Sequence, residues 1–231
     1  MHVLAYCTCT ILILSTLALD GRSAASSADP VQRFLSRPSE TLTSYRAFRT
    51  LRASNKRFNK EGWMTAWTEL DPQGGFRYEV VGEGGSDYIR RKVLRKMLDG
   101  EREAIAIGQP GRVALSPANY RFSVMSDDGQ VAKLQIVPLR ADTLLVNGTV
   151  TVEAGTGDLL SVEGRLAKNP SFWTNRVDVS RRYGRIAGVR VPLRVESTAS
   201  VKIVGTSEFS MDYEYASING DPVGNVTASR Q

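Results

Sequence analysis

From Tyr45 onward the chain alternates. Tyr45, Ala47 and Leu51 fall on one side, and Arg46, Thr50 and Arg52 on the other. A period of two is that of a strand with one wet face. Asn59-Lys60-Glu61-Gly62 reads as a hairpin turn. The next strand runs from Gly62 to Leu70, with Trp63 and Trp67 sharing a face. Asp71-Pro72-Gln73-Gly74-Gly75 turns the chain again, and Phe76, Tyr78 and Val80 are expected to extend the same aromatic face. Large rings at cross-strand positions contribute about 0.2–1 kcal/mol per pair.

Two segments have a helical period instead. Asp29 to Thr41 carries Val31, Phe34 and Leu35 on one side, with Pro30 in its first turn and Pro38 at its end. The second begins after Glu83-Gly84-Gly85, with Ser86 as N-cap, and ends near Gly108 before Pro110. Its apolar stripe is Ile89, Val93, Leu94, Met97, Leu98 and Ile105, and Arg90, Arg91, Lys92, Arg95 and Lys96 cover the rest. As a phosphate loop its entry fails, because no Gly-Lys-Ser/Thr follows.

From Asn119 onward the chain reads as strands joined by turns. Tyr120, Phe122 and Val124 are followed by Leu134 and Ile136, then by Leu144, Val146, Val150 and Val152, then by Leu160, Val162 and Leu166. The cleanest run is Val189, Val191, Leu193, Val195, Ser197, Ala199, Val201 and Ile203, and Phe209, Met211, Tyr213 and Tyr215 form the last strand. About ten strands with one apolar face need more cover than two helices supply. The predicted fold is therefore mainly β: an unclosed, strongly curved antiparallel half-barrel, with the N-terminal helix and the inserted helix as lid. It spans residues 29–220 as one domain, and the small polar stretch 221–231 is expected to fray.

Residues 1–28 differ in kind. His2 to Leu19 holds no Asp, Glu, Lys or Arg, Ile11-Leu12-Ile13-Leu14 lies at its centre, and small residues follow. That is the pattern of a secretory signal peptide, with cleavage after Ala25 or after Ala28, or of a single membrane anchor. Export places the domain in the periplasm. The chain's one His, His2, and its two Cys, Cys7 and Cys9, all precede residue 29. The remainder then lacks imidazole and thiol, which excludes disulfides, Cys/His zinc sites and Ser-His-Asp or Cys-His catalysis. The net charge of +6 is unchanged by processing, since residues 1–28 carry only Asp20 and Arg22. A basic exported protein meets anionic lipid surfaces more readily than nucleic acid.

The strand phrases Tyr45-Arg46-Ala47-Phe48-Arg49, Gly62-Trp63-Met64-Thr65-Ala66 and Gly74-Gly75-Phe76-Arg77-Tyr78, with a helix inserted after the third strand, resemble the periplasmic outer-membrane lipoprotein carrier superfamily (LolA/LolB/RseB-like). The resemblance covers Asp29 to Gly220 and implies an open barrel that holds acyl chains beneath helical lids. Those carriers have a basic residue before Pro in the hairpin after the second strand and an Arg that latches the lid. Here Leu70-Asp71-Pro72 stands in that place, so the resemblance assigns no latch residue.

The candidate ligand-binding set is the expected concave face: Tyr45, Leu51, Trp63, Trp67, Phe76, Tyr78 and Val80; Val93 and Met97 from the helix; Phe122, Leu134, Ile136, Trp173, Leu193, Val195, Phe209, Met211 and Tyr213. Plain core packing would use the same residues. Arg90, Arg91, Lys92, Arg95 and Lys96 are candidates for contact with an anionic membrane, or form a solvated helix face. Asn169-Pro170-Ser171-Phe172-Trp173 is an aromatic turn suited to a barrel rim or plug. The expected ligand is an acyl chain, lipid or lipoprotein bound by a monomer, with transient contact to a membrane surface or a membrane-protein partner. No cofactor, metal or catalytic residue is assigned. A sensor that binds a protein partner is the alternative, and a hydrolase built on two carboxylates is the third.

Overall fold

The computed structural model describes residues 29–38, 41–108 and 110–224. The expected signal peptide and residues 225–231 lie outside the described residues. Eleven antiparallel strands form one unclosed sheet. They are β1 (Tyr45–Asn55), β2 (Lys60–Asp71), β3 (Gly75–Gly85), β4 (Tyr120–Asp127), β5 (Val131–Pro138), β6 (Val146–Glu153), β7 (Leu159–Leu166), β8 (Thr174–Ile186), β9 (Val189–Val201), β10 (Gly205–Ile218) and β11 (Asp221–Pro222). The order is β3-β2-β1-β10-β9-β8-β7-β6-β5-β4, with β11 beside β10, so β3 and β4 are the free edges of an open half-barrel. Residues 221 and 222 thus pair with Ser217 and Ile218, where fraying was expected.

One row shows how the inner face is built. Met64, Leu51, Met211, Val195, Arg181, Val162, Val150, Leu134 and Val124 lie directly opposite one another on successive strands from β2 to β4. Directly paired residues share a face, so the apolar set is continuous except at Arg181. On either side of that interruption sits a separate core. Helix α1 (Pro30–Ser36), capped by Asp29, adds Phe34 to a core that includes Leu134, Ile136, Val150, Val152 and Val162. A helical run over the other half buries Ile89, Leu94 and Leu98 against Leu51, Met64, Ala66 and Met211. Each of the buried Leu, Ile, Val, Phe and Met side chains stabilises by about 1.5–3 kcal/mol.

That run comprises α2 (Asp87–Ile89), a π-helical turn (Arg90–Leu94) and α3 (Arg95–Ile107), closed by Gly108 in the left-handed region. Ser86 occupies the N-cap position without a side-chain hydrogen bond. The helix lies close on the sheet: a Cβ at Gly62 would come within 2.9 Å of Ile89.

Several sequence expectations are corrected. Helix α1 stops at Ser36 rather than Thr41. The first hairpin turns at Lys56–Asn59, because Lys60 already pairs with Asn55. Most consequentially, Trp63 and Trp67 sit on the outer face, opposite Arg52 and Phe48. Phe76, Tyr78 and Val80 pair instead with Leu70, Thr68 and Ala66 on the inner face. β3 supplies the reason. A Cβ at Gly84 would meet the Trp63 indole at 2.6 Å, so the ring covers glycine backbone at an edge strand and remains 40% exposed.

Candidate functional site

The helical run is fastened along one side. Glu83 on β3 accepts from Arg90 and Arg95, each at 2.9 Å, and the Tyr78 hydroxyl donates to Asp99 at 2.9 Å. The deepest attachment is Arg49, whose position on β1 shares the phase of Ala47 and Leu51. Its side chain is only 1% exposed. The guanidinium donates to both Glu101 carboxylate oxygens, at 2.6 and 3.0 Å, and to the Tyr45 hydroxyl. Its charge also lies over the Tyr213 ring, 4.5 Å from the centroid. Burial alone would push the Arg49 pKa down. The hydrogen bond and charge of Glu101 outweigh it, so the guanidinium stays above its ordinary range. Burial pushes the Tyr45 and Tyr213 hydroxyls well above theirs, with Arg49 opposing the shift in both.

The opposite side of the run has no such fastening among the described residues, and a cavity of about 460 Å³ opens there between the helix and β1, β9 and β10. Tyr88, Ile89, Val93 and Met97 form its helical wall. Ala53, Ala199, Val204 and Phe209 form its sheet wall, and Phe58 stands at the first hairpin. Ser54, Lys60 and Ser197 also line it, although most of the wall is apolar. The Asn55 side chain is occupied by the Val204 carbonyl and Ser207, and Glu208 pairs with Lys56 at 2.5 Å. A mostly apolar hollow of this size, with sparse polar groups, is the usual form of a small-ligand pocket. The π-helical turn helps to shape it. Within this wider turn Leu94 is buried on the sheet, while neighbouring Val93 lines the cavity.

The structure distributes the sequence-predicted set over five places. Val93, Met97 and Phe209 line the cavity. Tyr45, Leu51, Phe76, Tyr78, Val80, Met211 and Tyr213 make the core around Arg49 and under the helix. Phe122, Leu134 and Ile136 belong to the other core, beneath α1. Val195 lies between the two cores on the inner row. Trp63, Trp67, Leu193 and Trp173 are not on the inner face of the cavity: the first two face outward, Leu193 is 38% exposed beside a strand irregularity, and Trp173 is on an exposed loop. Of the basic helix residues, Arg90 and Arg95 are held by Glu83 and Arg91 by Asp87, leaving Lys92 and Lys96 without a carboxylate partner among the described residues.

No family model matches this sequence. No curated protein matches it either. Among solved structures it is similar to a LolA superfamily protein from Nitrosomonas europaea, at 10% identity and a TM-score of 0.36, over 80% of this chain and 90% of that one. No group of His, Cys, Asp or Glu among the described residues is arranged to hold a metal ion, and no helix among them is long and apolar enough to cross a membrane.

Sequence reasoning passed over Arg49, Phe58 and Tyr88. Arg49 had a signal: a charged residue in the apolar phase of an alternating strand must find a partner inside. Phe58 lay beside a turn placed three residues too late. Tyr88 adjoins the stripe without belonging to it.

Proposed function

We propose that this protein is an exported carrier or chaperone for acyl chains, which takes a lipid tail into the cavity between the helical run and the β9–β10 side of the half-barrel. The observation that carries the reading is the one-sided fastening of the helix. Ion pairs tie it to β1 and β3, while the side facing β9 and β10 borders a mostly apolar hollow with no polar bridge across it among the described residues. Apolar walls favour a guest by removing its surface from water, at about 25 cal/mol per Å². No step in this function requires a catalytic group. Uptake needs the unfastened side to widen while Arg49–Glu101 holds the other, a hinge rather than a detachment.

Mass spectrometry of lipids extracted from the purified protein, with displacement of a bound apolar dye by fatty acid, tests the proposal. Co-purifying acyl lipids and displacement are expected. A protein that carries no lipid and takes up neither dye nor fatty acid overturns it.

A further inference from the structure

Three tips meet at the end of the sheet where the cavity opens. Phe58, in the β1–β2 turn, and Val204, in the β9–β10 turn, both line the cavity, and Asn55 joins the two turns by accepting from the Phe58 N–H and donating to the Val204 carbonyl. Arg57 packs against Gly205, where an added Cβ would lie 3.3 Å from its side chain. The loop before β8 completes the group: the Trp173 carbonyl accepts from the Lys202 N–H at 2.8 Å, and the Lys202 ammonium rests 4.2 Å from the centre of the Phe172 ring. The apolar side chains here are turned out to solvent, Phe58 by 52%, Ile203 by 68%, Phe172 by 80% and Trp173 by 56%. Isolated exposed hydrophobes need no explanation, but four on adjoining tips do.

Charge at this end selects the partner. Asp87 is matched by Arg90 and Arg91, and Glu208 by Lys56. That leaves Arg57, Lys60 and Lys202 exposed without a carboxylate partner among the described residues, against the exposed Glu61. Aromatic rings beside lysine and arginine form the combination that the interface of an anionic bilayer attracts: rings settle at headgroup depth and cations lie against the lipid charge. The basic face of the helix, singled out in the sequence, contributes less, because its three arginines are already paired.

We propose that Phe58, Phe172, Trp173 and Ile203, with Arg57, Lys60 and Lys202, form a docking surface for an anionic lipid bilayer, which sets the cavity mouth against the membrane. The surface extends the carrier reading and rests on it for its purpose, although the docking itself does not require an occupied cavity. A lipid tail leaving the bilayer would then enter the hollow beside Phe58 without crossing water.

The test uses the full chain with Trp63→Phe and Trp67→Phe, which leaves Trp173 as the sole indole of the three in the sequence. It is titrated with phosphatidylglycerol vesicles whose acyl chains carry bromine, and in parallel with brominated phosphatidylcholine vesicles. Trp173 emission is expected to shift to the blue and be quenched by the anionic vesicles. Half-quenching should require on the order of tenfold more lipid in phosphatidylcholine, or after Arg57→Glu with Lys202→Glu. Because quenching needs Trp173 itself at the acyl chains, attachment through another segment does not imitate it. Unquenched Trp173 in phosphatidylglycerol, or quenching indifferent to both lipid charge and charge reversal, overturns the proposal. So does a dimer in vesicle-free solution that Phe172→Ser abolishes, since the surface would then belong to a second copy. Displacement of dye by fatty acid without vesicles tests the carrier reading separately, so failure of one is distinguishable from failure of the other.

Discussion

Arg49 and Glu101 are 52 residues apart in sequence and meet inside the half-barrel, two guanidinium nitrogens on two carboxylate oxygens at 2.6 and 3.0 Å. One belongs to the inner face of β1 and the other to the helix above it, so the pair fixes how far that helix can move. Removing one member leaves the other charge without its partner. Glu101→Ala is expected to destabilise the fold by about 3–5 kcal/mol. Arg49→Met combined with Glu101→Met should cost much less than the sum of the single changes. Urea unfolding of the three variants measures both quantities, and a strictly additive double variant would mean that the pair is not the fastening.

Filling the hollow should compete with its guest. Ala199 lines the cavity on β9 and is half-buried. Ala199→Trp is expected to weaken fatty-acid binding at least about tenfold, since a ring takes most of the space a tail would use. Dye displacement with a thermal melt separates lost binding from lost folding. Undiminished binding would place the ligand elsewhere.

Trp63 should behave as a structural residue. Its ring covers Gly84 on the outer face and is half-exposed, so Trp63→Ala is expected to cost about 2 kcal/mol, less than the 3–5 kcal/mol of a buried aromatic. Ligand affinity should not change. A selective loss of binding in a folded Trp63→Ala protein would bring the outer face back into consideration.

Asp158 joins Arg37, the residue after α1, to the β8 strand. Its carboxylate accepts from Arg37 Nε at 3.1 Å and from Arg185 Nε at 3.0 Å. The hydrogen bonding of Arg185 holds its pKa below the usual carboxylate range, with burial opposing and Arg37 assisting. A lowered folded-state value contributes stability that is fully present above about pH 4, the ordinary Asp value, and is lost as pH falls through the lowered value. Asp158→Asn should cost about 1 kcal/mol at pH 7 and flatten the acid side of the stability profile. Urea midpoints from pH 2 to 7 for both proteins check the slope; parallel curves would contradict it.

Ile203 holds φ at +69° in the β9–β10 turn, a left-handed conformation that a β-branched residue adopts at a cost of about 1–2 kcal/mol. Ile203→Gly removes the crowding but frees the unfolded chain, and a net gain of about 1 kcal/mol is expected. A thermal melt reads the sign. Destabilisation would show that the isoleucine side chain contributes packing that outweighs the strain.

Strands and helices were legible because their periods arise within a few residues. Backbone geometry alternates side chains at every second position, and the stripe from Ile89 to Leu98 needs only the helical repeat. An open mainly β sheet followed from counting apolar strand faces against two helices. Sidedness did not follow. Trp63 and Met64 belong to opposite phases of β2, and either phase is apolar enough to face inward. The choice was made by distant partners, with Ile89 pressing on Gly62 from within and the glycines of β3 leaving room for the indole outside. Arg49 shows the same division. Its inward phase could be read from β1 alone, but Glu101 reaches it only once the helix lies across the sheet. The cavity and the cluster of exposed tips depend on hairpins 149 residues apart, as in the bond from Asn55 to Val204. Alternation states that the two faces of a strand differ, while long-range packing decides which face is enclosed and where the enclosure is left unfilled.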